Sequence, residues 1–370
     1  MRRIGANREQ AELLLSLVRV VEDTPFVPRI EDWEAASDIV RRHGLLPQLF
    51  QRLAEWESAM PENQARSIRE EGYQNTARNG VLASEAVKII AAFDCAGIPA
   101  LPFKGVALAA QLYGNLAHRP AGDIDILIKL GDRHRAAEIV EAAGYVLVPG
   151  DPGDIELQFR RESDGLTIEL CWSLSPSWFR REFGMDALWR RRCVSMLLGT
   201  EIPGLSPEHT LIVLSVHGIK HEWARLFWVR DIVQLLSLHP EIDWRLVERE
   251  ARRFGVWGCV ALGVLLSWRL GGISVEEVAL RRFDADTRVR RLARHIEKHL
   301  FDGNYSQLDG WPYQYWVLDF RDRMRLVLKA GLAAPNARDR DLIPLPRALA
   351  SLYSLVRPLR LVRDYFRARP

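Results

Sequence analysis

Asp123 and Asp125 stand one residue apart in "HRPAGDIDILIKL", residues 118–130, inside a run otherwise made of Ile and Leu. An apolar strand excludes carboxylates unless they are paired or bound to a cation. On a strand, residues i and i+2 share a face, so the two carboxylates project together while Ile124 and Ile126 enter the core. Neighbouring carboxylates repel, and one takes up a proton unless a divalent cation relieves the conflict. Mg²⁺ suits such a pair, because it takes oxygen ligands from one or two carboxylates and from substrate phosphates. Two-ion phosphoryl-transfer sites need a further carboxylate nearby. Glu169 in "TIELCW" is the candidate, since it alternates with Ile168 and Leu170 and shares its face with Thr167 and Cys171.

Upstream, "PFKGVALAAQLYG" places Lys104 and Gly105 where an extended segment turns into a helix. Helix N-termini bind phosphate through free N–H groups, and glycine permits close approach. Lys104 would add positive charge for a triphosphate. The chain order is therefore Lys-Gly at a helix start, a short helix, Arg119, Asp-x-Asp on a strand, and a lone Glu on a later strand.

This order resembles the nucleotidyltransferase fold of the DNA polymerase beta superfamily. More narrowly, "LPFKGVALAAQLYGNLAHRPAGDIDILI", "TIELCW" and "HGIKHEWARLFWVRDI" resemble a bacterial group of nucleotidyltransferases with these motifs, over roughly residues 80 to 240. At greater distance they are similar to antibiotic-modifying nucleotidyltransferases. The resemblance implies that Asp123, Asp125 and Glu169 hold metal, that Lys104 and Gly105 form the nucleotide-phosphate turn, and that Arg119 approaches the phosphates or pyrophosphate. It implies transfer of an NMP group from an NTP to an acceptor, a small molecule or peptide natural product, with Mg²⁺ as one or two ions. Asp125 or Glu169 would assist deprotonation of the acceptor. Two departures bear on the nucleotide contacts. The usual turn is Gly-Ser and here it is Lys-Gly, and Cys171 stands where the narrower group often has His. The alternative is a non-catalytic nucleotide-binding or scaffold protein that retains the fold.

A second cluster lies in "HGIKHEWARLFWVRDI". At helical spacing His217, Lys220, His221, Trp228 and Asp231 fall close to one face. Lys220 and His221 are candidate nucleotide contacts, and Trp223 or Trp228 could stack on a base. His217 and His221 also fit a metal pair, without an evident third ligand. The structural reading puts the tryptophans in the core, His and Lys on the surface, and Asp231 in a pair with Arg230 or Arg225.

These residues need a scaffold. At 370 residues, 48% hydrophobic and 27% charged, the chain has an ordinary globular composition and is long enough for two or three domains. A net charge of +3 gives no clear case for nucleic acid as partner. Four scattered cysteines without zinc-ligand spacing suggest a reducing compartment, and the charged N-terminus shows no export signal, so a cytoplasmic location is expected. The apolar run "VWGCVALGVLLSW" falls short of the ~20 residues that span a bilayer and reads as a buried helix.

Periodicity predicts helices over 8–23, 31–56 and about 64–97. A mixed α/β unit follows over 98 to about 200, with strands at "IPALPFKG", "DIDILIKL", "YVLVPG", "IELQFRR" and "LTIELCWSL". The last two strands are joined around Asp164-Gly165, a hairpin signal. Helices resume at Ser206-Pro207-Glu208 and continue to about 300, with another near 314–332. The expected class is α+β, a nucleotidyltransferase-type mixed sheet flanked by helical domains. The expected divisions are 1–80 helical, 81–204 core, 205–300 helical and 301–370 a C-terminal helical region with a basic tail. Six arginines against one acid after position 346 raise the question of membrane-surface contact through that tail. No oligomeric state is legible.

Overall fold

The computed structural model describes residues 5–20, 27–149, 155–174, 185–275, 280–281, 283 and 286–302, with isolated residues Val317, Pro346, Leu352 and Tyr353. The expected helix near 314–332 and the basic tail therefore lie almost wholly outside the described residues.

Four helices open the chain: α1 (Arg8–Val18), α2 (Trp33–Arg42), α3 (Leu46–Gln51) and α4 (Leu53–Trp56). A single long helix, α5 (Glu62–Cys95), follows and runs without a break through residue 80, where a domain boundary was expected. Then come β1 (Ala100–Pro102), α6 (Gly105–Tyr113), β2 (Ile124–Ile128), α7 (Arg133–Ala142), β3 (Val146–Leu147), β4 (Glu156–Arg160) and β5 (Thr167–Cys171). The short helix α8 (Met185–Trp189) leads to a separate hairpin, β6 (Cys193–Leu197) and β7 (Thr200–Gly204). Four helices complete the described chain up to residue 272: α9 (Pro207–Lys220), α10 (Leu226–Leu238), α11 (Trp244–Phe254) and α12 (Trp257–Gly271). Helix α13 (Thr287–Asp302) comes last.

The main sheet has the order β1-β2-β5-β4-β3, with β2 parallel to β5 and every other pairing antiparallel. Its two faces meet different cores. Ile124, Ile126 and Ile128 of β2, with Ile168 and Leu170 of β5, join one cluster with Leu82, Ala86 and Phe93 of α5 and Val140 of α7. The opposite face carries Asp125, Leu127, Glu169 and Cys171, and Leu127 and Cys171 pack into the larger helical core. Each fully buried Ile contributes roughly 1.5–3 kcal/mol, so the period-2 pattern fixes which face the carboxylates occupy.

The larger core joins the first helices to the last ones. Leu13, Leu17, Val40 and Trp56 share it with Leu211, Val229, Val260 and Ile296. The run expected to be a buried helix is α12, whose residues from Cys259 to Ser267 are all buried. The β6–β7 hairpin was not anticipated. Its turn places Leu198 at φ 51° and Gly199 at φ 76°, a conformation Leu does not signal in sequence. No helix among the described residues is long and apolar enough to cross a membrane.

Candidate active site

Asp125 lies within β2 and Asp123 one residue before it. In the parallel pairing, Asp125 stands directly opposite Glu169 on β5. Asp125 and Glu169, both singled out in sequence, are therefore side by side on the face turned away from α5, and the Asp123 carboxyl is near enough for the charges to act on one another. Burial raises the Asp123 carboxyl to about 6, with the Asp125 charge adding to the rise and Lys104, Arg119 and Arg78 opposing it. Burial likewise raises Glu169 to about 7, assisted by the charges of Asp125 and Asp123. Burial is the larger cause of both shifts, and the repulsion among the carboxylates adds to it despite the nearby cations.

One cation already serves them. Lys104 Nζ lies 2.6 Å from Asp125 Oδ1, and both side chains are largely shielded from water. Burial works against the Lys104 charge, but Asp125 more than compensates and its pKa is raised. Lys104 is thus placed at the carboxylates, with its ammonium on Asp125. The local backbone explains Gly105. It takes φ +51°, and a Cβ there would come within 2.6 Å of the Asp123 carbonyl oxygen. Glycine is needed because the start of α6 packs against the backbone that presents Asp123. We expect Gly105→Ala to cost at least about 1 kcal/mol of stability, from the left-handed backbone alone, and to displace Asp123. Thermal unfolding together with Mg²⁺ titration checks this; unchanged values in both would contradict it.

Arg119 does not point at an open phosphate site. It is 5% exposed, and its Nε and Nη2 donate to both carboxylate oxygens of Asp231 on α10 at 3.0–3.1 Å. Its Nη1 donates to the carbonyls of Gly105 (3.1 Å) and Pro120 (3.2 Å). The Tyr113 hydroxyl donates to Asp231 Oδ1 at 2.9 Å. The expectation of a phosphate-facing Arg119 is corrected accordingly, as is the pairing of Asp231 with Arg230 or Arg225. A buried guanidinium and a buried carboxylate satisfy each other here, and the pair ties the Lys-Gly turn to the helical region. Helix α5 holds the same segment from the other side. Asn79 Nδ2 donates to the carbonyls of Leu116 (2.6 Å) and Arg119 (2.7 Å), and Asn75 Nδ2 donates to that of Ala117 (3.1 Å).

The second cluster is mainly structural. Trp223 and Trp228 are buried at 0% and 7% exposure, as the structural reading expected, which leaves neither free to stack on a base in this conformation. His221 stacks on Trp228 with ring centroids 5.1 Å apart, and His217 meets both rings edge-on. His217 is only partly accessible rather than on the surface. Burial first, then the positive charges of Lys104, His221 and Arg119, holds it in the neutral form. Lys220 is exposed and reaches toward Glu156, 3.9 Å away.

Sequence reasoning missed Glu156. In the β4–β5 pairing it faces Cys171, and Gln158 faces Glu169, to which its Nε2 donates at 3.3 Å. Glu156, Glu169 and Cys171 offer ligand atoms all within 4.8 Å of one another. The signal was present as alternation in "IELQF", but it required the register of the hairpin. The Cys171 thiol is pushed well above its ordinary pKa by burial, so the neighbouring carboxylates supply the hard oxygen donors that Mg²⁺ favours.

Carboxylates from two parallel strands thus lie beside a helix start pinned by an arginine. The chain belongs to the uncharacterised nucleotidyltransferase family, whose model matches residues 30–272. No protein of curated function matches the sequence. Among solved structures, ANT(2'')-Ia in complex with adenylyl-2''-tobramycin is 17% identical over 46% of this chain and 95% of that one, with a TM-score of 0.36. The lincosamide antibiotic adenylyltransferase LnuA, bound to lincomycin, is 17% identical over 42% of this chain and 96% of that one, with a TM-score of 0.32. An antigenic nucleotidyltransferase-like protein from Paracoccidioides brasiliensis is 18% identical over 43% and 75% of the two chains, with a TM-score of 0.29. Likeness at this distance says nothing of substrate.

Proposed function

We propose that this nucleotidyltransferase moves an NMP group from an NTP, such as ATP, to an oxygen of a small-molecule or peptide acceptor and releases pyrophosphate. The observation that carries the proposal is the register pairing of Asp125 with Glu169, with Asp123 one residue ahead. The acceptor oxygen attacks the α-phosphorus in line, and the bond from that phosphorus to the oxygen bridging to the β-phosphate breaks. Asp123, Asp125 and Glu169 would hold Mg²⁺, as one or two ions; the raised carboxyls of Asp123 and Glu169 and the all-oxygen donor set fit a divalent cation. Bound Mg²⁺ would neutralise the carboxylates and the charge that develops on the phosphate oxygens.

The chain's own residues then position and shift protons. Glu169 or Asp125 would assist removal of the acceptor's proton. Lys104, whose ammonium lies at Asp125, would supply positive charge for a polyphosphate. Arg119 holds the turn that carries Lys104 and Gly105 at a fixed distance from the carboxylates. Lys220 and His221, at the end of α9, stand on the Glu156 side, where they would meet the nucleotide. The four cysteines are free thiols, which supports a reducing location such as the cytoplasm.

Calorimetric titration with each NTP in Mg²⁺, paired with a pyrophosphate-release assay, tests the proposal. The wild type is expected to bind one or more NTPs in a metal-dependent way and to release pyrophosphate. Asp123→Asn with Asp125→Asn is expected to abolish both. Metal-dependent NTP binding that survives the double substitution would refute the site.

A further inference from the structure

A cavity of about 590 Å³ opens beside the backbone that leads into Asp123. Residues 120–122 form one wall, Arg41, Glu71 and Arg78 another, and Arg225 and Phe227 from the start of α10 a third. Its charges do not cancel. Arg41 is committed to Glu71, with Nη2 2.7 Å from Oε1 and Nε also within hydrogen-bond distance. That leaves Arg78 and Arg225, neither of which has an ion-pair partner among the described residues. Arg78 is anchored by one hydrogen bond only, from Nη2 to the Gly122 carbonyl at 3.2 Å, which holds its guanidinium one residue from Asp123. The amide of Phe227 is already donated to the His43 carbonyl, so the arginines, rather than helix amides, supply the free donors.

Position distinguishes this cavity from Lys220, one of the proposed nucleotide contacts. Lys220 stands at Glu156 on β4, and β4 is separated from β2 by β5. Arg78 approaches from the opposite side, at the entry to β2. The carboxylates lie between two basic regions, and a transferase needs two substrates there.

We infer that this cavity is the acceptor subsite and that the acceptor carries an oxyanion group, a carboxylate or a phosphoryl group, held by Arg78 and Arg225. Guanidinium forks match both groups bidentately. The oxygen that is nucleotidylated would then be a second group of the same molecule, reaching past Gly122 toward Asp123. The inference rests on the nucleotidyl-transfer reading for the word acceptor, but the anion site itself stands independently of it.

The test is calorimetric titration of the full-length protein at low ionic strength with inorganic phosphate, with succinate and with spermidine. Each is run without nucleotide and again with Mn²⁺ and a nonhydrolysable NTP. Binding of phosphate or succinate is expected in both states, and whichever binds more tightly identifies the group. The exposed pair Arg78→Gln and Arg225→Gln is expected to weaken that binding by about tenfold or more, the scale of a lost charge-assisted hydrogen bond. Arg78→Lys with Arg225→Lys keeps the charge but loses the fork, and is expected to bind less tightly than the wild type and more tightly than the glutamine variant. NTP affinity should stay within about twofold in both variants. Absence of binding by either anion, equal binding by the glutamine variant, or preference for spermidine overturns the inference. So does a loss of NTP affinity in the glutamine variant, which would make the cavity a nucleotide phosphate site. Failure of NTP binding in the wild type, with phosphate or succinate still bound, would remove the transfer reading and leave the anion site.

Discussion

Glu169→Gln is expected to abolish nucleotidyl transfer and, at the same time, to stabilise the metal-free protein at alkaline pH. Burial and the neighbouring Asp125 and Asp123 charges raise the Glu169 carboxyl to about 7. A raised folded-state pKa means that the folded chain holds this proton more tightly than the unfolded chain. The contribution is fully present below about 4.5 and is lost as pH rises through about 7. At pH 8 the ionised side chain therefore works against folding, and the neutral amide does not. Glu169 is part-exposed, so screening reduces the gain to about 1 kcal/mol, a rise in Tm of roughly 1 °C for a chain of this size. Mg²⁺ should reverse the order, because the wild type binds the cation more tightly than the variant. Transfer should fall by about a hundredfold or more. Unfolding curves at pH 5.5 and 8, with and without Mg²⁺, check the signature. A variant less stable than wild type at pH 8 without metal would show that Glu169 is a structural carboxylate.

The second large effect is expected at Asp231. Its carboxylate receives three hydrogen bonds from Arg119 and one from Tyr113, and it is fully buried. Asp231→Ala leaves a buried guanidinium without its counter-charge, and breaking such a pair from one side costs about 3–5 kcal/mol. The same substitution loosens the Lys-Gly turn, since Arg119 also holds the Gly105 carbonyl. Activity should therefore fall although Asp231 touches neither substrate. Arg119→Met with Asp231→Leu, which removes both charges, is expected to recover much of the stability but not the activity. Chemical denaturation of the single and double variants measures the coupling. A cost below about 1 kcal/mol for Asp231→Ala would mean that the clamp contributes little.

The carboxylate site was legible in sequence because it depends on local rules. Alternation gave the shared face of Asp123 and Asp125 and the face of Glu169 on its own strand, while the adjacency of the two strands comes from their pairing. The Lys-Gly helix start and the Gly114 stop were equally local, and Gly114 indeed closes α6 in a left-handed conformation. What sequence could not supply were partnerships across distance. Arg119 and Asp231 are 112 positions apart and lie on different elements, so a basic residue before an Asp pair read naturally as a phosphate contact. Glu156 needed the β4–β5 register before its alternation meant anything. Gly105 carries two demands that look identical in sequence, approach to a ligand and approach to the chain's own backbone, and the structure shows the second. Helical periodicity found α5 over nearly its whole length, about 64–97 against Glu62–Cys95, although the helix serves two cores.

The central claim is that carboxylates from two strands bind divalent cations as one unit. Titration of Mn²⁺ into the wild type, Asp125→Asn and Glu169→Gln, followed by electron paramagnetic resonance with a nonhydrolysable NTP present, tests it most directly. Each single substitution is expected to weaken Mn²⁺ binding by about tenfold or more. Mn²⁺ bound as tightly by Glu169→Gln as by the wild type would contradict the account.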